Sequence, residues 1–159
     1  MKTVYLIGAL ANREYVNELG LRIRKLGYDV FDDWTTPGPK ADDYFDEYRK
    51  KRGLNYKDAL LSYAAQHIFE FDKSHLDRSD IVILIMPAGK SGHLELGYAV
   101  GKGKTGYILM DKEPDRVDIM HSFADEVFMN EKDLLLKLEE IDLPFADTEV
   151  GKLFYRKDL

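Results

Sequence analysis

Ser79-Asp80-Ile81-Val82-Ile83-Leu84-Ile85-Met86-Pro87-Ala88-Gly89-Lys90-Ser91-Gly92 is the stretch that decides how the rest of the chain is read. From Ile81 to Met86 the residues are apolar without interruption. A strand that lacks the usual alternation of apolar and polar residues is buried on both faces, which is the situation of an interior strand in a parallel sheet. Such a sheet needs helices above and below it. The Pro- and Gly-rich run after Met86 ends the strand, and His93 to Gly101 reads as the helix that follows. On the other side, Ser79-Asp80 reads as a turn into the strand, with the Asp80 carboxylate taking local N–H groups.

Working outward, Thr3-Val4-Tyr5-Leu6-Ile7 is a first buried strand ending at Gly8. Asn12 is placed to cap a helix whose apolar positions Val16, Leu19, Ile23 and Leu26 recur at helical spacing, with Gly27 as its stop. Tyr28 to Phe31 is a second strand, so the opening residues form a βαβ unit. A longer helix is expected from about Tyr56 to Phe71, with Asp72 just after it and His67 packed within it. Beyond the central strand, Gly106–Met110 is a fourth strand, Val117–Phe123 a short helix, Val127–Met129 a fifth strand and Glu131–Glu140 a final helix. Strands alternating with helices imply an α/β fold, a single-domain, doubly wound, five-stranded parallel sheet of the flavodoxin-like order 2-1-3-4-5. The one domain is expected to span residues 1–159, with a helical lid inserted at about residues 35–57. That insertion follows Asp32-Asp33-Trp34-Thr35-Thr36-Pro37-Gly38-Pro39, and its polar helix, Asp42 to Arg52, carries Tyr44, Phe45 and Tyr48 on one side.

Composition narrows the partners. The chain has 159 residues, no cysteine and a formal net charge of −6. Disulfides and thiolate metal sites are therefore excluded, and the acidic balance argues against a nucleic-acid backbone binder. No apolar run approaches the ~18 residues of a membrane span, and Met1-Lys2-Thr3 leads directly into a strand. The expectation is a cytoplasmic protein that handles a small molecule, with no membrane partner, no nucleic acid and no cofactor.

In a doubly wound sheet, ligands bind beyond the carboxyl ends of the strands, where the strand order reverses between the first and third. That rule selects two loops, Gly8–Asn12 and Pro87–Glu95. Glu95 is expected in the first turn of its helix, flanked by Leu94, Leu96 and Tyr98. It is either a carboxylate that complements the helix dipole or a reactive group, and its apolar neighbours favour the second reading. Asp72 on its own reads as a surface charge. Asp32, Asp33 and Trp34 lie near the switch point and either line a pocket or form a turn. His67, His75, His93 and His121 show no metal spacing, although His93 is near enough to Glu95 to share its site. Neither a dinucleotide fingerprint nor a phosphate-binding Gly-Lys-Ser/Thr loop is present.

Four pieces of the sequence, in order, resemble the nucleoside 2-deoxyribosyltransferase family and its nucleotide N-glycosidase relatives. They are Val4-Tyr5-Leu6-Ile7-Gly8; Phe71-Asp72; Ser79-Asp80-Ile81-Val82; and Gly92-His93-Leu94-Glu95-Leu96-Gly97-Tyr98-Ala99 with Gly101-Lys102-Gly103-Lys104. The resemblance implies that Glu95 attacks C1′ of the sugar, that Asp72 handles the proton on the base and that Tyr5 lies near the sugar. Two carboxylates suit that chemistry, one ionised to attack an oxocarbenium-like centre and one to protonate a poor leaving group. The implied reaction is cleavage of the N-glycosidic bond of a (deoxy)nucleoside or nucleotide, with transfer of deoxyribose to another base or to water. The resemblance also implies a homo-oligomer in which a neighbour lends residues from Phe123–Asn130, Glu126 among them. Closed two-fold pairing is the commonest arrangement of soluble oligomers, so a dimer or a multiple of dimers is expected. The apolar tail Gly151–Tyr155 is expected to pack on a partner or on its own domain.

The chain departs from both branches of that family. Where transferases carry an Asp six residues before the nucleophile, and the monophosphate hydrolases a Ser, this chain has Gly89. After the first strand it has Gly8-Ala9-Leu10-Ala11 in place of a Gly-Ser-x-Arg loop. Ser91 and the N–H groups of Gly92 and His93 are the alternative holders of a hydroxyl or phosphate, because helix starts favour anions. A TIR-like nucleotide or NAD glycohydrolase and a non-catalytic nucleotide-sensing module remain as other readings.

Overall fold

A computed structural model describes residues 1–33 and 41–142. Strands β1 (Thr3–Ile7), β2 (Asp29–Phe31), β3 (Ile81–Ile85), β4 (Thr105–Leu109) and β5 (Glu126–Phe128) form one sheet in the order β2-β1-β3-β4-β5. Every pairing is parallel, and Tyr5 lies between Phe31 of β2 and Val82 of β3. The doubly wound order expected from the sequence is the observed one. Its helices are α1 (Arg13–Lys25), α2 (Ala41–Lys51), α3 (Tyr56–Leu60), α4 (Tyr63–Arg78), α5 (Lys90–Gly101) and α6 (Glu131–Asp142), with 3-10 turns at Leu10–Asn12 and Ile119–Phe123.

The unbroken apolar run of β3 is explained by its two neighbours in depth. Ile81, Ile83 and Ile85 face one side, where they join Val16, Leu19 and Ile23 of α1 and Leu134 and Leu138 of α6. Val82 and Leu84 face the other side, with Leu76 of α4 and Leu96 and Ala99 of α5. Each such side chain contributes about 1.5–3 kcal/mol on burial, so neither face of β3 tolerates a polar residue. Tyr5 of β1 belongs to the second face. It is one of the side chains that the sheet presents to α4 and α5, with Val82 and Leu84 of β3.

Several local expectations change. The helix expected from Tyr56 to Phe71 is two helices, because Ser62 restarts it: its Oγ accepts the Ala65 N–H and donates to the Ala59 carbonyl. Serine at an N-cap is a start signal hidden here within an apolar period. The second helix, α4, then continues to Arg78 because Leu76 extends its buried face. Ser79 ends it, with its N–H and hydroxyl both returning to the Leu76 carbonyl. Asp72 is therefore inside α4 and not after a helix. His67 is exposed, not packed, and rests against Tyr63 at a ring separation of 6.2 Å.

Helix α5 also begins earlier than expected, at Lys90, with extended Gly89 as its N-cap. Glu95 is thus in the second turn. Gly92, which reads in the sequence as a loop residue, is a packing residue of this helix. A Cβ there would come within 2.8 Å of Ile7 Cγ2 and 3.0 Å of Leu84 Cδ1. Asp80 does not serve local N–H groups. Its Oδ2 accepts the N–H of Thr3, 2.8 Å away and 77 positions earlier, and so ties the start of β3 to that of β1.

In the insertion, α2 lies close to the range expected for it, with Phe45 and Tyr48 stacked at 6.0 Å and Tyr44 exposed. Trp34 and the tail Gly151–Tyr155 lie outside the described residues.

Candidate active site

Helices α4 and α5 flank a cleft of about 260 Å³ with Tyr5 in its wall. From α4 come Phe69, Asp72, Lys73 and Leu76, the i, i+3, i+4, i+7 pattern of one helix face. From α5 come Leu94, Glu95 and Tyr98. The walls are mainly apolar, with the two carboxylates set among Phe, Leu and Tyr. Small-molecule sites have this character, a few polar groups converging in an apolar recess.

Tyr5 is only 1% exposed, and its hydroxyl is hydrogen-bonded to the Glu95 carboxylate. Burial first, then the charges of Glu95 and Asp72 and the hydrogen bond itself, push the phenol far above its ordinary range. Tyr5 therefore stays protonated and acts as a donor to Glu95. Its ring is fixed from behind by Phe31 at 5.0 Å, which in turn stacks on His75 of α4 at 4.0 Å. The sequence places Tyr5, Asp72 and Glu95 in three separate elements, and the fold brings them to one cleft.

A second polar cluster shares Lys73 and Tyr98 with the lining of the cleft. Asp77 of α4 accepts from Lys73 Nζ at 2.6 Å through Oδ2 and from the Tyr98 hydroxyl at 2.7 Å through Oδ1. The bond to Tyr98 thus fastens α4 to α5. Its two partners hold Asp77 below the usual carboxylate range, chiefly through the hydrogen bond from Lys73.

The two switch-point loops are joined by Asn12. It stands at the N-cap position of α1 without capping that helix. Instead its Oδ1 accepts the Ala9 N–H at 2.8 Å, and its amide donates to the carbonyls of Pro87 at 3.2 Å and Ile85 at 3.4 Å. His93 is tied down at both ring nitrogens, Nδ1 to the Gly89 carbonyl at 2.8 Å and Nε2 to Nε2 of His121 at 3.2 Å. Its backbone N–H already serves the Gly89 carbonyl, so it is not available to an anion. The first-turn N–H groups of α5 belong to Lys90, Ser91 and Gly92.

Gly8, Gly89, Ser91, Gly92 and His93 sit in or beside the loops that follow β1 and β3, outside the lining of the cleft. Asp32 is held by Arg24 of α1, which reaches both its oxygens, at 2.6 and 2.8 Å, and it is not part of the cleft lining. Asp33 is exposed. Glu126 on β5 pairs with Lys137 of α6 at 3.2 Å within its own chain and is not part of the cleft lining. Phe69, Lys73, Leu76 and Asp77 are the residues that sequence reasoning missed. The helical spacing of the first three with Asp72 was the available signal. No group of three or more metal-ligating side chains occurs among the described residues, and none of their helices is long and apolar enough to cross a membrane.

No protein-family model and no curated protein matches the chain. Solved structures do match. Over 91% of this chain and 93% of the other, it is similar to a 2-deoxyribosyltransferase from the psychrotolerant bacterium Bacillus psychrosaccharolyticus, with a TM-score of 0.61 and 17% identity. Over 87% of this chain and 99% of the other, it is similar to a CMP N-glycosidase of Clostridium botulinum, with a TM-score of 0.52 and 18% identity. The chain therefore has the fold on which a 2-deoxyribosyltransferase and a CMP N-glycosidase are both built.

Proposed function

We propose that this protein cleaves the N-glycosidic bond of a (deoxy)nucleoside or nucleotide, with Glu95 as nucleophile and Asp72 as acid/base. The observation that carries the proposal is the convergence of Glu95, Asp72 and the Tyr5 hydroxyl on one largely apolar cleft. The shared fold of two enzymes that are named for such chemistry supports it. In the first step a Glu95 oxygen attacks C1′ as the bond to the base breaks, and Asp72 delivers a proton to the departing base. In the second step Asp72 recovers a proton from water or from an incoming base, which takes the sugar from Glu95. Tyr5 fixes the carboxylate that must be aimed at C1′, and the apolar walls exclude water that would screen the charges.

Chromatographic product analysis tests the proposal. Base plus free sugar means hydrolysis, an exchanged base means transfer, and binding without turnover refutes the enzymatic reading. Glu95→Gln and Glu95→Ala are expected to lose activity on the order of 10³-fold or more, as nucleophile removal does elsewhere, while keeping the fold. Near wild-type rates in either would end Glu95's role. Asp72→Asn is expected to slow poor leaving groups most, and an equal slowing of all bases would make Asp72 a positioning residue.

The proposal includes a homo-oligomer. Phe123, Val127 and Met129 are 65%, 41% and 44% exposed, in the segment proposed to meet a second copy. Light scattering at micromolar concentration tests this, and a fully active monomer would refute a shared site.

A further inference from the structure

We propose that Lys73 is a catalytic residue that stabilises the departing base, and that the cleft accordingly favours bases with a carbonyl oxygen conjugated to the glycosidic nitrogen. This inference rests on the glycosidic-bond reading above. Lys73 follows Asp72 on α4 and lines the same cleft, where it is the one cationic side chain among the described lining residues.

Its ammonium is held in place from two directions. Nζ donates to Asp77 Oδ2 at 2.6 Å and stands 5.6 Å from the centroid of the Tyr98 ring. Asp77 is itself anchored by the Tyr98 hydroxyl at 2.7 Å, so the position of the lysine is referred to the helix that carries Glu95. An ammonium has three donors, and the hydrogen bonds to Asp77 and Tyr98 still leave one for a ligand. The hydrogen bonds to Asp77 and Tyr98 raise the ammonium above its ordinary lysine range, so it remains charged across the working pH.

The chemistry calls for such a group. As the Glu95 oxygen forms its bond to C1′, the electron pair of the C1′–N bond leaves with the base. The proton from Asp72 ends on a base nitrogen, and Asp72 is left as a carboxylate. Before that transfer is complete, the base carries negative charge in a cleft that already holds two carboxyl groups. A carbonyl oxygen conjugated to the breaking bond concentrates that charge, and a fixed ammonium donating to the oxygen offsets it. Lys73 remains an ammonium throughout and gives up no proton. The interaction is stronger in the transition state than in the ground state, so it acts on kcat.

The test is steady-state kinetics on 2′-deoxyuridine and 2′-deoxyinosine, whose bases carry the carbonyl, and on 2′-deoxyadenosine, whose base lacks it. Lys73→Met is expected to lower kcat on the first two by about 10- to 100-fold, the rate equivalent of one hydrogen bond to a charged group, with little change in KM. On 2′-deoxyadenosine the loss should be much smaller, and Lys73→Arg should restore most of the rate on the carbonyl bases. An equal loss on all three substrates, a loss confined to KM, or no loss overturns the proposal while leaving the glycosidic reading intact. If the wild-type protein cleaves none of the three, their 5′-monophosphates included, and no other nucleoside or nucleotide, the glycosidic reading fails and the role of Lys73 fails with it.

Discussion

Gly92 and Gly97 lie on the same helix, α5, but differ in what a methyl group would meet. At Gly92 the added carbon would sit 2.8 Å from Cγ2 of Ile7 and 3.0 Å from Cδ1 of Leu84. Those residues are 2% and 0% exposed, so neither side chain can turn aside into solvent. At Gly97 nothing lies within 4 Å. Replacing Gly by Ala in a helix interior stabilises by about 1 kcal/mol at either position, whereas overpacking a tight core costs about 1–3 kcal/mol. Gly97→Ala is therefore expected to gain roughly 0.5–1 kcal/mol. Gly92→Ala should lie between neutral and about 2 kcal/mol destabilised. The clash is relieved by α5 moving off the sheet. That movement carries Glu95, one turn further along, away from the Tyr5 hydroxyl, so Gly92→Ala should lose activity out of proportion to its stability. Urea unfolding followed by circular dichroism, with turnover measured on the same samples, makes the comparison. If Gly92→Ala is as stable as Gly97→Ala, the close seating of α5 on β1 and β3 is wrong.

Tyr5→Phe removes the donor to Glu95 while keeping the ring stacked on Phe31. Losing a hydrogen bond to a charged group is worth about 1.5–3 kcal/mol, so kcat should fall roughly 10- to 100-fold with the fold intact, and an unchanged kcat would separate Tyr5 from the reaction. Tyr15 of α1 donates to Glu131 of α6 at 2.9 Å, and burial, then that hydrogen bond, push its phenol up to about 12. The folded value lies above the unfolded value of about 10, so the stability from this contact is fully present below pH ~10 and is lost as pH rises toward ~12. The difference in ultraviolet absorbance between wild type and Tyr15→Phe along an alkaline titration reads this directly, and a midpoint near the ordinary tyrosine value would mean that the contact is absent in solution.

The sheet was legible because β3 carries its own instruction. Six apolar residues in succession have no solvent face to offer, which makes the strand interior and the sheet covered on both sides. Helix limits were less legible because they depend on groups that the apolar period does not mark. Ser62 splits one periodic run in two by offering an acceptor to the Ala65 N–H. Gly89 starts α5 early because an extended glycine can serve as the N-cap without a side chain, inside a run of residues that looks like a turn. Asp80 shows a different limit. Its type and position read as a local turn, and only the β1–β3 register reveals that its acceptor is used by Thr3.

For the site, Glu95 could be singled out from its setting among Leu and Tyr, but Asp72 has no such signature. Its significance comes from the face of α4 that it shares with Phe69, Lys73 and Leu76, and that face is defined only once α4 is known to continue past Asp72. The same is true of Asp77, which in sequence is one acid among many. In the fold it is the group that bonds to both walls of the cleft. The reaction proposed for Glu95 and Asp72 would be sensitive to their separation, since the acid would have to reach the leaving base while the nucleophile reaches C1′. Apolar packing between two helices alone does not fix that separation closely, because ridges seat in grooves over a range of angles. The hydrogen bond that Asp77 of α4 accepts from the Tyr98 hydroxyl of α5 adds a directional constraint between the two helices, and Lys73, one turn back on α4, holds the accepting carboxylate in place. The apolar core of the second sheet face supplies the base, Tyr5 belongs to it and donates to Glu95, and the Asp77–Tyr98 bond ties the helix of Asp72 to the helix of Glu95.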